Sequence, residues 1–370
     1  MVSIVPSLAV HRADVAEATR SSAAISGDNR FTGFKHHKRT IFMIVSSVDR
    51  FLMDRRQALG AGLGLAAAAA GLSSSTAQAK SNGFDTALDF DGAFDPERAE
   101  HNTLAFCKLM SDTKDNVESC GYFKGDVLAY VGPNKRLEPL FGYEGFGMTR
   151  TYQVGDYSWK KLHKEVSYYT DLKTGEVMDE WHNPFLDETV KVVQVHNDVV
   201  NSTWAPTYSF GVGPTKVTYP FKFPWLIMGD NAVVDFGVNT THRAVLQPEE
   251  WPRESHGETT QVLEAIQVHA SLSDLMDPKQ TTVQASGSWQ RISPWLPWML
   301  MGLQPGHLFY KTVTRRMPEG VEGLPRHVRE YTEANFPDYF TAPTEWQEPN
   351  VSSYEVYERE MDPQPFKDGV

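Results

Sequence analysis

Apolar and polar residues alternate with a period of two over most of the chain beyond Cys120, the spacing of a strand with one buried face. Phe123, Val127, Ala129 and Val131 share one such face, and Gly132-Pro133-Asn134 ends it. Phe146, Met148, Tyr152 and Val154 repeat the pattern before the Gly155-Asp156 turn. Trp159 to Tyr169 reads as the next strand, closed by the turn-forming run Asp171 to Gly175. Val177–Trp181 and Glu188–His196 read as a hairpin around Asn183-Pro184. Asn201 to Pro224 is rich in Pro, Gly and aromatics and predicts long loops with short strands. The alternation resumes at Val233–Val238, Thr259–Ala270, Thr281–Arg291 and His307–Arg316.

Helical signals occur twice. Asp95-Pro96-Glu97 has the order of an N-cap, a first-turn proline and a first-turn acid, and it predicts a helix to about Met110 that buries Leu104 and Phe106. A second helix is expected from about Leu324 to Asn335, stopped by Phe336-Pro337. The tail from Asp338 is polar and reads as a surface wrap. Many short strands without alternating βαβ units define a mainly β, single-domain, antiparallel β-barrel-like fold, lipocalin-like in general architecture, with two short helices.

The stretch Ala285 to Tyr310 stands apart, because three tryptophans, three prolines and two methionines lie between two alternating segments. Proline rules out a long helix, so the expected form is strand, aromatic corner, strand, the second opening at Gly306-His307. Such a corner either plugs the core or walls a pocket.

Before Lys80 the composition changes. Arg55-Arg56, a Gly- and Ala-rich run and Ala77-Gln78-Ala79 form the three-part pattern of a twin-arginine export signal over 53–79. Residues 1–52 then read as an upstream extension, with Met53 as the true start and 80–370 as the mature domain. Of 35 basic and 47 acidic residues, 9 and 5 precede Lys80, which leaves 26 and 42 and a net charge of −16. That balance argues against nucleic acid as a partner. The apolar run is too short and too rich in small residues for a stable membrane anchor. Cys107 and Cys120 can pair in an oxidising periplasm or remain buried thiols.

No nucleophile elbow, zinc-protease motif, phosphate loop or dinucleotide fingerprint is present, so candidate chemistry rests on polar clusters in apolar surroundings. His182 and Asn183 at the hairpin tip suit a substrate contact or a plain turn. His196 and Asp198, beyond the strand at Val190, suit a base and its orienting partner or a strand end. Arg253, Glu254, His256 and Glu258 would, if extended, put their imidazole and two carboxylates on one side, as an acid/base pair needs; an exposed salt-bridged loop is the alternative. Trp289, Trp295 and Trp298 can stack on a flat ligand or simply fill the core, with Arg291 and His307 nearby to meet an anion. No organic cofactor is expected. A divalent metal stays open as an alternative, assembled from histidines on separate strands.

The segments Pro139–Arg150, Thr174–Asn201, Pro252–Glu258 and Gly287–Tyr310 together resemble the bacterial and fungal proteins grouped as domain-of-unknown-function family 1838. The resemblance implies one domain and supplies no reaction. The residues then lead to an exported protein with an aromatic-lined pocket for a hydrophobic or aromatic small molecule. Acid/base catalysis as a lyase, isomerase or hydrolase is the first expectation and lipocalin-like carriage the alternative; no residue stands out as an activated nucleophile.

Overall fold

A computed structural model describes residues 88–133, 135–210, 217–347 and 351–365. The leader reading at 53–79 and the extension before it lie outside these residues. The described chain carries thirteen strands: β1 (Glu118–Tyr130), β2 (Glu138–Gly155), β3 (Ser158–Thr170), β4 (Glu180–Asn183), β5 (Glu188–Lys191), β6 (Val195–Trp204), β7 (Thr207–Phe210), β8 (Val217–Pro220), β9 (Trp225–Met228), β10 (Asn231–Arg243), β11 (Thr259–Ser271), β12 (Ser286–Ser293) and β13 (His307–Met317). Four α-helices accompany them: α1 (Ala99–Met110), α2 (Leu272–Met276), α3 (Arg326–Asn335) and α4 (Ser353–Glu360). Among the described residues no helix is long and apolar enough to cross a membrane.

Nine strands form one sheet in the order β6-β3-β2-β1-β13-β12-β11-β10-β9, and every neighbouring pair is antiparallel. Two meanders, β1–β3 and β9–β13, are joined where β1 pairs with β13 from Cys120↔Met317 to Tyr130↔His307. The mainly β, antiparallel expectation therefore holds. The barrel does not close, because β6 and β9 are the two ends of the sheet rather than a pair. The sheet curls instead. Tyr143 on β2 and Trp289 on β12 have ring centroids 6.3 Å apart, although three strand spacings of a flat sheet would separate them by about 14 Å. Close backbone approach permits that curl: a Cβ at Gly125 or Gly287 would collide with the carbonyl oxygen of Lys311 or Gln267 on the next strand.

The concave face holds the main core. At one end α1 inserts Leu104, Phe106 and Leu109; Phe106 meets Trp204 edge-on at 5.2 Å and stacks on Phe223 at 4.8 Å. At the other end the aromatic corner forms as expected, a strand, a 3-10 turn at Pro297–Met299 and the next strand. It packs Trp298 against Phe141, Tyr169 and Trp181. A smaller second core lies on the convex side, where α3 lays Val328 over Cys120, Phe146, Met148, Val166 and Tyr168.

Three local expectations need correction. The first helix begins at Ala99, because Asp95 accepts the N–H of Glu97 in a preceding turn and so does not cap the helix. The strand expected from Thr281 begins at Ser286, because Thr282 and Val283 bond carbonyls at the end of α1 instead of a neighbouring strand. The tail carries α4, started by a capping box in which Ser352 and Glu355 satisfy each other's backbone N–H groups. Cys107 and Cys120 are both buried free thiols.

Candidate functional site

Strand alternation turns Trp159, Lys161, His163 and Glu165 of β3 toward the concave side, where the middle pair lies between the two aromatic ends of the core. β11 contributes Glu264 and β12 contributes Trp289 to the same space. Lys161, His163, Glu165, Glu264 and Trp289, with Ile266 and Val268, line a cavity of about 130 Å³. Lys161, His163, Glu165 and Glu264 are 3, 7, 2 and 3 % exposed, so four ionisable groups sit almost wholly out of water.

Their partners are incomplete. Thr149 Oγ1 lies 2.8 Å from His163 Nδ1 and fixes the ring, which packs on Gly147 where a Cβ would strike it. His163 Nε2 is 3.6 Å from Glu165 Oε2, and Arg291 Nη1 is 3.7 Å from Glu264 Oε1. Both separations exceed a hydrogen bond. His163 Nε2, Glu165 Oε1 and Glu264 Oε1 are buried and lack a hydrogen-bond partner in the protein. Leaving charged groups in this state costs several kcal/mol each, so their protonation adjusts.

Burial pushes the Glu264 carboxyl up to about 7, against the pull of Arg291 and the Trp289 indole. Glu165 rises well above the carboxylate range through burial, opposed by Lys161 and Arg291 and reinforced by Glu264. Five strand spacings separate β3 from β11 along the sheet, yet the two carboxyls sense one another because the sheet curls. Burial drives His163 well below its usual value, with the Lys161 charge adding to it, and lowers Lys161 to about 8 against the attraction of Glu165. The site thus favours a neutral imidazole at His163 and a protonated carboxyl at Glu165, and holds at Glu264 a carboxyl poised to move a proton near neutral pH.

Of the residues singled out in the sequence, Trp289 walls this cavity and Arg291 contacts Glu264. The others lie elsewhere. His196 is inside β6 rather than beyond a strand end, stacks on Phe336 at 5.0 Å and faces Glu360 at 3.1 Å. It lines a smaller pocket with Trp298 and Tyr354. Asp198 is also within β6, and its side chain lies outside the described residues.

The run from Arg253 to Glu258 is a turn rather than an extended segment: the Ser255 N–H donates to the Trp251 carbonyl at 2.9 Å, and Gly257 takes a φ of +127°. Its side chains therefore diverge. Arg253 pairs with Glu188 and donates to the Pro365 carbonyl at 3.4 Å, and Glu254 accepts the Gln364 N–H at 2.6 Å, so both hold the C-terminal segment. His256 is 2.8 Å from Thr260 Oγ1, and burial, aided by His242 and His307, lowers it to about 4. Glu258 and His307 are exposed. His182 is exposed beside Asp187, whereas buried Asn183 donates to the Met299 carbonyl at 2.8 Å and anchors the corner. Trp295 donates to the Gln304 carbonyl at 2.9 Å, and Trp298 is core.

Sequence reading missed Lys161, His163, Glu165 and Glu264. A signal existed for Glu264, a single carboxylate between Val262 and Ile266 on an otherwise apolar strand face. β3 offered none, because both of its faces mix polar and apolar residues. Among the described residues no three His, Cys, Asp or Glu side chains converge as cation ligands.

Fold and site together define a curled antiparallel sheet with a buried ionisable cluster on the wall of its trough. The chain belongs to the family described as Protein of unknown function (DUF1838), whose model matches residues 116–361 and so takes in the whole cluster. No curated protein matches the chain.

Proposed function

We propose that this chain is an exported acid/base enzyme, free of organic cofactor, that moves a proton on a hydrophobic or aromatic small molecule held in the trough. The observation that carries the reading is the set of buried, incompletely partnered carboxyls and imidazole on a largely apolar cavity. Glu264 is the proton-transfer group, with Arg291 beside it to stabilise its charged form. Glu165 supplies a proton. His163, oriented by Thr149, presents Nε2 on the Glu165 side. Trp289 offers a flat wall for a ring. The twin arginine and Ala77-Gln78-Ala79 support export by the twin-arginine route to the periplasm.

The test replaces Glu264 and Glu165 separately with glutamine and measures turnover and affinity over a panel of aromatic and terpenoid-like compounds. Turnover should fall about 10²–10⁴-fold for Glu264→Gln with affinity retained. A change in affinity alone would identify a carrier.

A further inference from the structure

Two lysines are buried among the described residues, and they differ in a way that assigns one of them a task. Lys108 is 2 % exposed and fully engaged: its Nζ donates to the carbonyls of Leu275 at 2.8 Å and Asp277 at 3.0 Å and lies over the Phe90 ring. Lys161 is 3 % exposed, lines the cavity, and among the described residues has neither hydrogen bond nor ion pair at Nζ. An ammonium left so is expensive in an apolar wall, whereas a free amine there is a nucleophile. On the same strand face follow His163 and Glu165.

We propose that Lys161 is a nucleophilic amine that condenses with an aldehyde or ketone carbonyl of a small ligand in the trough to form an iminium ion. The assignment rests on the acid/base reading of the same cavity and deepens it by naming the ligand class. The neutral amine adds through nitrogen to the carbonyl carbon, and a proton passes from nitrogen to oxygen, which gives a carbinolamine. The Glu165 carboxyl then gives its proton to that hydroxyl. The C–O bond breaks, water leaves, and an iminium remains beside the Glu165 carboxylate. No oxidant or reductant is consumed. The cationic carbon–nitrogen double bond acidifies the adjacent C–H, which Glu264 is placed to deprotonate. Burial, which lowers Lys161 to about 8 against the attraction of Glu165, supports the assignment. At pH 7.5 it leaves roughly 200-fold more free amine than an ordinary lysine has.

The experiment treats the folded full-length chain with benzaldehyde at limiting concentration and sodium cyanoborohydride, then maps the benzylated lysines by peptide mass spectrometry. Benzaldehyde binding without reductant is followed in parallel by saturation-transfer NMR, with Ile266→Phe as a cavity-filling control. The expected result is benzylation of Lys161 at least about tenfold above exposed Lys173 and Lys191, and its loss in Lys161→Met with those two unchanged. Labelling of Lys161 no greater than theirs overturns the iminium assignment. If benzaldehyde binding is then seen and is abolished by Ile266→Phe, the acid/base reading of the cavity stands alone. If no such binding is seen, that reading loses its aromatic ligand as well. The mapping on the unmodified chain decides the question even where a variant fails to fold.

Discussion

Buried glutamates occur on both sides of this sheet, and the two sides treat them differently. On the convex side Glu144 is fully buried under α3 and well supplied: the Tyr122 hydroxyl donates to it at 2.7 Å, His327 Nε2 lies at 2.6 Å and Lys124 Nζ at 3.4 Å. On the concave side Glu165 and Glu264 are as deeply buried, yet each has an oxygen without a partner, and the His163 and Arg291 nitrogens facing them stand at 3.6 and 3.7 Å. A carboxylate whose donors are all in place ties elements together. One whose donors are held short of contact stores free energy that a ligand or a proton can release. The contrast separates a structural carboxylate from the candidate site more sharply than burial does, since burial is the same in both.

The largest expected effect breaks the convex site. Glu144→Ala strands Tyr122 and His327 and should lower the unfolding free energy by about 3–5 kcal/mol. Denaturant unfolding should show Glu264→Gln unchanged or more stable at pH 7 on the same scale. Equal losses from the two variants would erase the distinction.

Next comes the pH dependence of stability. Glu264 rises on folding from 4.5 to about 7, so the native state holds its proton more tightly than the unfolded chain. Its contribution is fully present below pH 4.5 and is lost as pH rises through about 7, an amount of order 3–4 kcal/mol at about 1.4 kcal/mol per unit. His163 runs the other way: its value falls on folding, so its contribution is present above the unfolded value and lost as pH drops. The difference between the unmodified chain and Glu264→Gln, followed from pH 4 to 8, isolates the first effect, and a difference that does not change with pH would refute it.

Gly147→Ala probes the packing of the imidazole. The new methyl meets the His163 ring, and the displacement should cost about 1–3 kcal/mol and reduce turnover without touching the carboxyls. A crystal structure of the variant with His163 unmoved would contradict this. The smallest effect belongs to His182→Gln and Glu258→Gln, both exposed and away from the cavity, which should stay within about 0.5 kcal/mol in unfolding assays and leave turnover unchanged.

Much of the fold is legible in the sequence. The period of two located β10, β11 and β13 to within a few residues of one end or the other, and the prolines around Trp295 and Trp298 marked the corner. The α4 capping box, Ser352 to Glu355, is written in the sequence too, but the polar tail around it carries no apolar period to mark a helix. Candidate residues were harder. Clusters close in sequence, such as Arg253 to Glu258, drew attention because charge and histidine stood together, yet a turn spread them apart to hold the chain's end.

By itself the sequence determined the strand class, the alternating faces, the acidic balance and the position of the aromatic corner, because each depends on neighbours within a few residues. Only the tertiary structure decided which face is concave, and with it the site. Glu165 and Glu264 are 99 residues apart and five strand spacings distant along the sheet. They meet because the sheet coils tightly where glycine lets backbones approach, and that curvature is a sum over many pairings that no local pattern records.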